Sequence, residues 1–248
     1  AISARGAEGG GSVRTIAPTL GIGETASVAV GAGGDWLIGT ADATLATGAT
    51  AAPHAIDRLV ITGTLDGGGD VAVAATGDIV AAQTLSWTGA GDLRLDADRD
   101  VMLGAAVTSG GAGDFTATAG RDLRLGAPVR ATGAGAVALT ARTGDISISG
   151  AGVAVSTASG ALALEATEGS VLLAPARGAA RVASASGDIT LAAGTALRVE
   201  GDVTGGGIVR ARAPEIAVTG AEVTARGALS LVASERIGIE GGRVAALG

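Results

Sequence analysis

Chemistry in this 248-residue chain starts from its acidic and basic side chains, 24 carboxylates and 17 arginines. The densest group is Asp92, Asp96, Asp98 and Asp100, interleaved with Arg94 and Arg99. Aspartates gathered on one face are what a polysaccharide-cleaving enzyme needs, so this group is the natural place to look for one. Recurrence argues otherwise. Asp70, Asp92 and Asp114 fall at one repeating position, and Asp78, Asp100, Asp122 and Asp145 at another, as turn residues do when a carboxylate bonds its own backbone.

Calcium is the functional alternative at such turns. The calcium-binding β-roll motif requires glycine, glycine, any residue, glycine, any residue, aspartate. The run from Gly110 to Phe115 places Asp114 one position too early. The single histidine, His54, has Asp57 three residues on but no nucleophile motif around it, so it reads as a loop residue. Arg210 and Arg212 beside Arg198, with Thr190 and Ser230 flanking, could form a small glycan or anion patch; a solvated face with local ion pairs is the plainer reading. Trp36 and Trp87 could stack on sugars, although an isolated tryptophan is ordinarily packed in the core or at a corner. These readings assign no catalytic residue, no cofactor-binding residue and no metal ligand.

The elements that carry these side chains follow from a repeat. Glycine, any residue, apolar, any residue, apolar or alanine recurs at Gly69, Gly91, Gly113, Gly135, Gly160, Gly187, Gly207 and Gly227, at intervals of 22, 22, 22, 25, 27, 20 and 20 residues. A second alternating pair follows each time: Ile79/Ala81, Val101/Leu103, Leu123/Leu125, Ile146/Ile148, Val171/Leu173, Leu197/Val199, Ile216/Val218 and Ile237/Ile239. A third, weaker strand closes each unit at Leu85, Val107, Val129, Val153, Val182, Val203, Val223 and Val244. The period of two excludes helices, and glycine, costing about 1 kcal/mol inside a helix, interrupts every segment. Three strands in fixed order, each too short to bury itself, must coil so that each pairs with its equivalent one turn on. An antiparallel sandwich also alternates, but it does not explain the fixed order.

The predicted fold is therefore all-β: a right-handed parallel β-helix with three short strands per rung of about 20–27 residues. Residues 69–248 form about eight regular rungs, roughly 40 Å of shaft at the β-sheet spacing, and Leu93, Phe115, Val137, Leu162 and Ile189 stack in one interior column. Residues 1–68 form about three irregular rungs of the same solenoid, with strands near Thr25–Val30, Trp36–Ile38, Thr44–Ala46 and Leu59–Leu65. The longest loop runs from Gly48 to Ala55, and bulged corners lie at Gly150 to Ser159 and Pro175 to Ala180.

Composition narrows the function. The 17 basic residues are all arginine, scattered against 24 acidic ones, and the net charge of −7 lacks the concentrated basic face that nucleic acid requires. With no cysteine there are no disulfides and no thiolate sites. No uncharged apolar run approaches the ~18 residues of a membrane-spanning helix. The chain begins at Ala1 without a basic or apolar leader, which places any export signal outside it.

The runs GDLRLDADRDVMLGAAVTSGGAGDFTATAGRDLRLGAPVRATGAG (91–135) and GALALEATEGSVLLA (160–174) resemble the repeats of filamentous haemagglutinin and related two-partner secretion exoproteins. The resemblance covers roughly residues 56–248. It implies export through an outer-membrane transporter, a long β-helical shaft, and roles in adhesion, biofilm or contact-dependent competition. The secretion domain of that family carries Asn-Pro-Asn motifs, and this chain has no asparagine, so the resemblance is to shaft rather than to secretion signal. Autotransporter passengers use similar repeats, which leaves the secretion route open.

The expected function is a non-catalytic structural shaft of a secreted bacterial surface fibre or adhesin. The expected location is extracellular or at the cell surface. Its partners would be a host or cell-surface glycan or protein. The alternatives are a carbohydrate-active β-helix, lyase or hydrolase, and a filament subunit that self-associates head to tail. No cofactor is expected.

Overall fold

The structure, a computed structural model, describes residues 2–3, 10–47, 53–150, 152–174 and 181–248. Alternation of apolar and small or polar residues produces strands of five or six residues followed by two strands of about three, as in Leu93–Ala97, Val101–Leu103 and Val107–Ser109. Each pairs in parallel with its counterpart one turn away, so the chain is a parallel β-helix.

The first strands stack ten deep among the described residues, through Val13, Trp36, Val71, Leu93, Phe115, Val137, Leu162, Ile189, Val209 and Leu229. The interior column expected from Leu93 to Ile189 is thus present in register. Nine of the ten are buried and Leu229 is partly buried, and each fully buried Val, Leu or Ile contributes about 1.5–3 kcal/mol. A second column runs from Ala43 through Val101 and Ile146 to Ile237, and a third from Leu85 through Val129 and Val182 to Val244. In the last two turns the first and second strands merge into Val209–Thr219 and Leu229–Glu240.

The repeated glycine is demanded by proximity. A Cβ on Gly113 would lie 2.1 Å from the carbonyl oxygen of Gly91, and Cβ atoms on Gly135, Gly160 and Gly187 would each lie 2.1 Å from the preceding rung's glycine oxygen. Only a residue without a side chain lets the corners stack at this spacing.

Four expectations require correction. Residues Leu59–Leu65 are not a strand but lie within a helix, Arg58–Asp66, whose first turn is capped by the Asp57 carboxylate accepting the Leu59 N–H at 2.8 Å. Its β-branched residues favour a strand locally, yet Val60, Ile61, Thr64 and Leu65 share one face and are buried. The helix covers the open edge of Leu85–Trp87, the first strand of the third column. Asp66 Oδ1 accepts the N–H groups of Thr88 (2.6 Å) and Gly89 (3.3 Å), and the Leu65 carbonyl accepts that of Gly91 (3.3 Å). A sheet edge left bare would be a template for aggregation.

Second, among the described residues the N-terminal region supplies two strands to the first column rather than three, because Ala55–Asp57 pairs in parallel with Ala43–Ala46 instead of starting a new rung. The expected segment at Thr25–Val30 contains a strand of only Val28–Ala29. Third, the third-column residue in the 25-residue unit is Val155, not Val153. The extra residues are absorbed before the strand, where Gly150 and Gly152 take positive φ (104° and 72°). Fourth, the corner aspartates bond the next rung's backbone rather than their own, as detailed below. The bulge at Pro175 to Ala180 lies outside the described residues, as do residues 48–52 of the loop before His54.

Candidate functional site

The corner aspartates form two ladders. In one, Asp70 Oδ1 accepts the Asp92 N–H at 2.9 Å, Asp92 Oδ1 accepts the Asp114 N–H at 2.8 Å, and Asp114 Oδ1 accepts the Ala136 N–H at 2.7 Å. In the other, Asp42, Asp78, Asp100, Asp122 and Asp145 accept in turn from Asp78, Asp100, Asp122, Asp145 and Ser170, at 2.7–3.2 Å. Each carboxylate thus ties its own rung to the one after it.

The two ladders differ in charge compensation. Arginines pair with the second: Arg99 with Asp78 (3.5 Å), Arg121 with Asp100 (2.8 Å) and Arg124 with Asp122 (2.6 Å). The Arg121 hydrogen bond holds the Asp100 carboxyl below the usual range. Asp70, Asp92 and Asp114 have no ion pair among the described residues. Burial, then the neighbouring charges of Asp70 and Asp114, outweigh the backbone hydrogen bond and raise Asp92.

The acidic cluster anticipated at Asp92 to Asp100 is therefore split. Asp92 and Asp100 belong to opposite ladders, and Asp96 is held by Arg94 (2.9 Å) and by Arg142 (3.3 Å) from two rungs on. Asp98 stands exposed beside them. Asp96 stacks against Thr118 as the register predicted. No group of three or more carboxylate or imidazole ligands converges among the described residues.

His54 takes positive φ (67°) with Nδ1 3.4 Å from Thr40 Oγ1, while Asp57 is engaged in capping the helix. Trp36 and Trp87 are each 1% exposed, with Nε1–H donating to Thr15 Oγ1 (3.1 Å) and to the Gly91 carbonyl (3.0 Å); neither offers a face to a sugar. The three arginines at 198, 210 and 212 are not one patch. Arg210, stacked between Thr190 and Ser230, lies 3.6 Å from Asp188, and Arg198 projects from the second column.

The sequence reading missed Arg181. It is buried at 1% exposure, donates Nε–H to the Ala174 carbonyl (2.8 Å) and Nη1–H to the Val153 carbonyl, and burial lowers its pKa. Its only signal was a charged residue directly preceding the inward-facing Val182.

Open recesses lie on the outward face of the first column, two of them larger than the one beside Asp70, Asp92 and Asp114. One, of about 510 Å³, has Ile16, Pro18, Ala41 and Ala74 in its lining and Asp98 and Arg142 at its rim. The other, of about 460 Å³, is bounded by Glu165 and Arg212 across Ala192 and Gly194. Among the described residues no helix is long and apolar enough to cross a membrane.

The fold defines the class, a parallel β-helical solenoid. Compared with protein-family models, curated proteins and solved structures, the chain matches none.

Proposed function

We propose that this chain is a rigid shaft segment of a fibrous bacterial surface protein, placing attachment surfaces at a distance from the cell without catalysis. The observation that carries this reading is axial continuity: the first-column register runs unbroken from Val13 to Leu229, and aspartate ladders clamp successive corners. Such a solenoid gives stiffness along its axis, because every rung contacts only its neighbours and each contact repeats the last. The repeat resembles that of two-partner secretion exoproteins, which supports a cell-surface location and export through an outer-membrane transporter.

Protease treatment of intact producing cells tests this, followed by detection with an antibody against residues 91–135. Loss of the epitope while cytoplasmic markers survive is the expected result; protection until the cells are broken would overturn it. Release of oligosaccharide from pectin or alginate by the purified chain, abolished by Asp96→Ala, would replace the shaft reading with an enzymatic one.

A further inference from the structure

The inward-facing position that ends each third-column strand carries Trp87, Ser109, Ala131, Thr157 and Ser184 in register. The first two polar groups are satisfied in the same way. Trp87 Nε1–H donates to the Gly91 carbonyl at 3.0 Å and Ser109 Oγ–H to the Gly113 carbonyl at 2.7 Å, each acceptor lying four residues on. Thr157 and Ser184 are only 4% and 3% exposed, yet neither hydroxyl has a hydrogen-bond partner among the described residues. Their corners are one residue shorter: Gly160 and Gly187 follow them by three positions, and the glycine carbonyl is not brought to the hydroxyl.

Gly160 nevertheless stands as its counterparts do. The oxygens of Gly91, Gly113 and Gly160 each lie 2.1 Å from the place of a Cβ on the glycine one rung later. Those of Gly91 and Gly113 accept from the interior, whereas that of Gly160 receives no hydrogen bond from any described residue. A direct bond between the two hydroxyls is out of reach, because in-register residues on neighbouring parallel strands stand about 4.8 Å apart and Oγ is the first atom beyond Cβ in both. One water bonded to each at about 2.8 Å spans that gap at an angle of about 118°, close to tetrahedral. Side-chain size makes the room. Where Trp87 fills its corner beside Leu93, Thr157 and Ser184 share theirs with Leu162 and Ile189, which are no larger than leucine.

We propose that the interior of this corner holds a structural water between Thr157 and Ser184, bonded to both hydroxyls and to the Gly160 carbonyl. Buried polar groups without a protein partner are ordinarily supplied in this way, by a water making about three hydrogen bonds. The water replaces the direct contact that Ser109 makes within one rung and ties two rungs together. It does so where the first aspartate ladder lapses, since Ala136 and Ala161 occupy the positions in register with Asp114. The outer clamp is thus succeeded by an inner one in the 25- and 27-residue units. This inference does not depend on the shaft reading.

Oxygen-17 relaxation dispersion of the 248-residue protein tests it, because it detects long-lived buried water without interference from exchanging hydroxyl protons. Thr157→Val and Ser184→Ala each remove one hydroxyl with little change of shape. The double variant should lose the amplitude of about one long-lived water. Each single variant should melt about 2–4 °C lower than the parent, the shift that one lost hydrogen bond produces in a domain of this size. The double variant should lose less than the sum of the two, because both hydroxyls hold the same water. Hydroxyls that were dry and unpaired would give the opposite sign, with Thr157→Val raising the melting temperature. A melting temperature at or above the parent's in either single variant, or an undiminished dispersion amplitude in the double variant, would overturn the proposal.

Discussion

Asp92 Oδ1 accepts the backbone N–H of Asp114, twenty-two residues on, at 2.8 Å, and Asp114 repeats the contact to Ala136 at 2.7 Å. A side chain that in an isolated turn would bond its own loop here bonds the loop of the next rung. The reason is the close stacking of corners that glycine permits beside it, at Gly91, Gly113 and Gly135.

Hydrogen bond and charge can be separated at this position. Asp92→Asn keeps an acceptor oxygen and removes repulsion from Asp70 and Asp114, so its melting temperature should equal or slightly exceed that of the parent. Asp92→Ala loses the clamp and should be less stable by about 1 kcal/mol, the net value of one hydrogen bond. Denaturant titration of both variants measures the difference; equal loss in the two would show that the charge, not the bond, matters.

The two ladders should respond oppositely to acid. Asp92 is raised above its ordinary value of 3.8, so the folded state takes up its proton first, and stability rises as pH falls from the raised value toward 3.8. Asp100 is lowered, so its contribution is fully present above 3.8 and is lost as pH falls below it, through the folded value. Thermal melts across this range should therefore hold or rise slightly before they fall. Removing Arg121 with Arg121→Gln should weaken the fall below 3.8 and leave the earlier step in place.

In-facing and out-facing positions should differ sharply at adjacent residues. Leu164 is fully buried and Glu165 exposed. Leu164→Asp places an unpaired carboxylate in the interior and should cost several kcal/mol, about 3 or more, whereas Glu165→Ala should change stability by less than about 0.5. Melting temperatures that coincide for the two would contradict the register.

Glycine positions should divide by proximity rather than by conformation. Gly113→Ala would force its Cβ to 2.1 Å from the Gly91 oxygen and should displace a corner, with a loss of about 2 kcal/mol or more. Gly63 sits in the helix with nothing within 4 Å of an added Cβ, so Gly63→Ala should stabilise by about 0.5–1 kcal/mol. Calorimetry on the pair would check both signs.

The candidate recess was only half legible beforehand. Arg198, Arg210 and Arg212 lie close in sequence, but Arg198 is carried on a different column, and Arg212 shares an outward column with Glu165, which lies 47 positions earlier in the chain. Nothing in local spacing connects those two, since their separation is the sum of two unequal rungs.

What the sequence by itself determined is the solenoid: a period of two within strands and a period near 22 between them leave parallel coiling as the consistent way to bury Val71, Leu93, Phe115 and Val137 together. What only the tertiary structure decided is where local preference was outvoted or had no say. Leu59–Leu65 became helix, despite its β-branched residues, because Asp57 caps it and one of its faces covers the open edge of Leu85–Trp87. The direction of each aspartate's hydrogen bond, to the next rung and not to its own, likewise depends on how closely one corner lies above another. That distance is set by the packing of residues some twenty positions apart, and no single turn contains it.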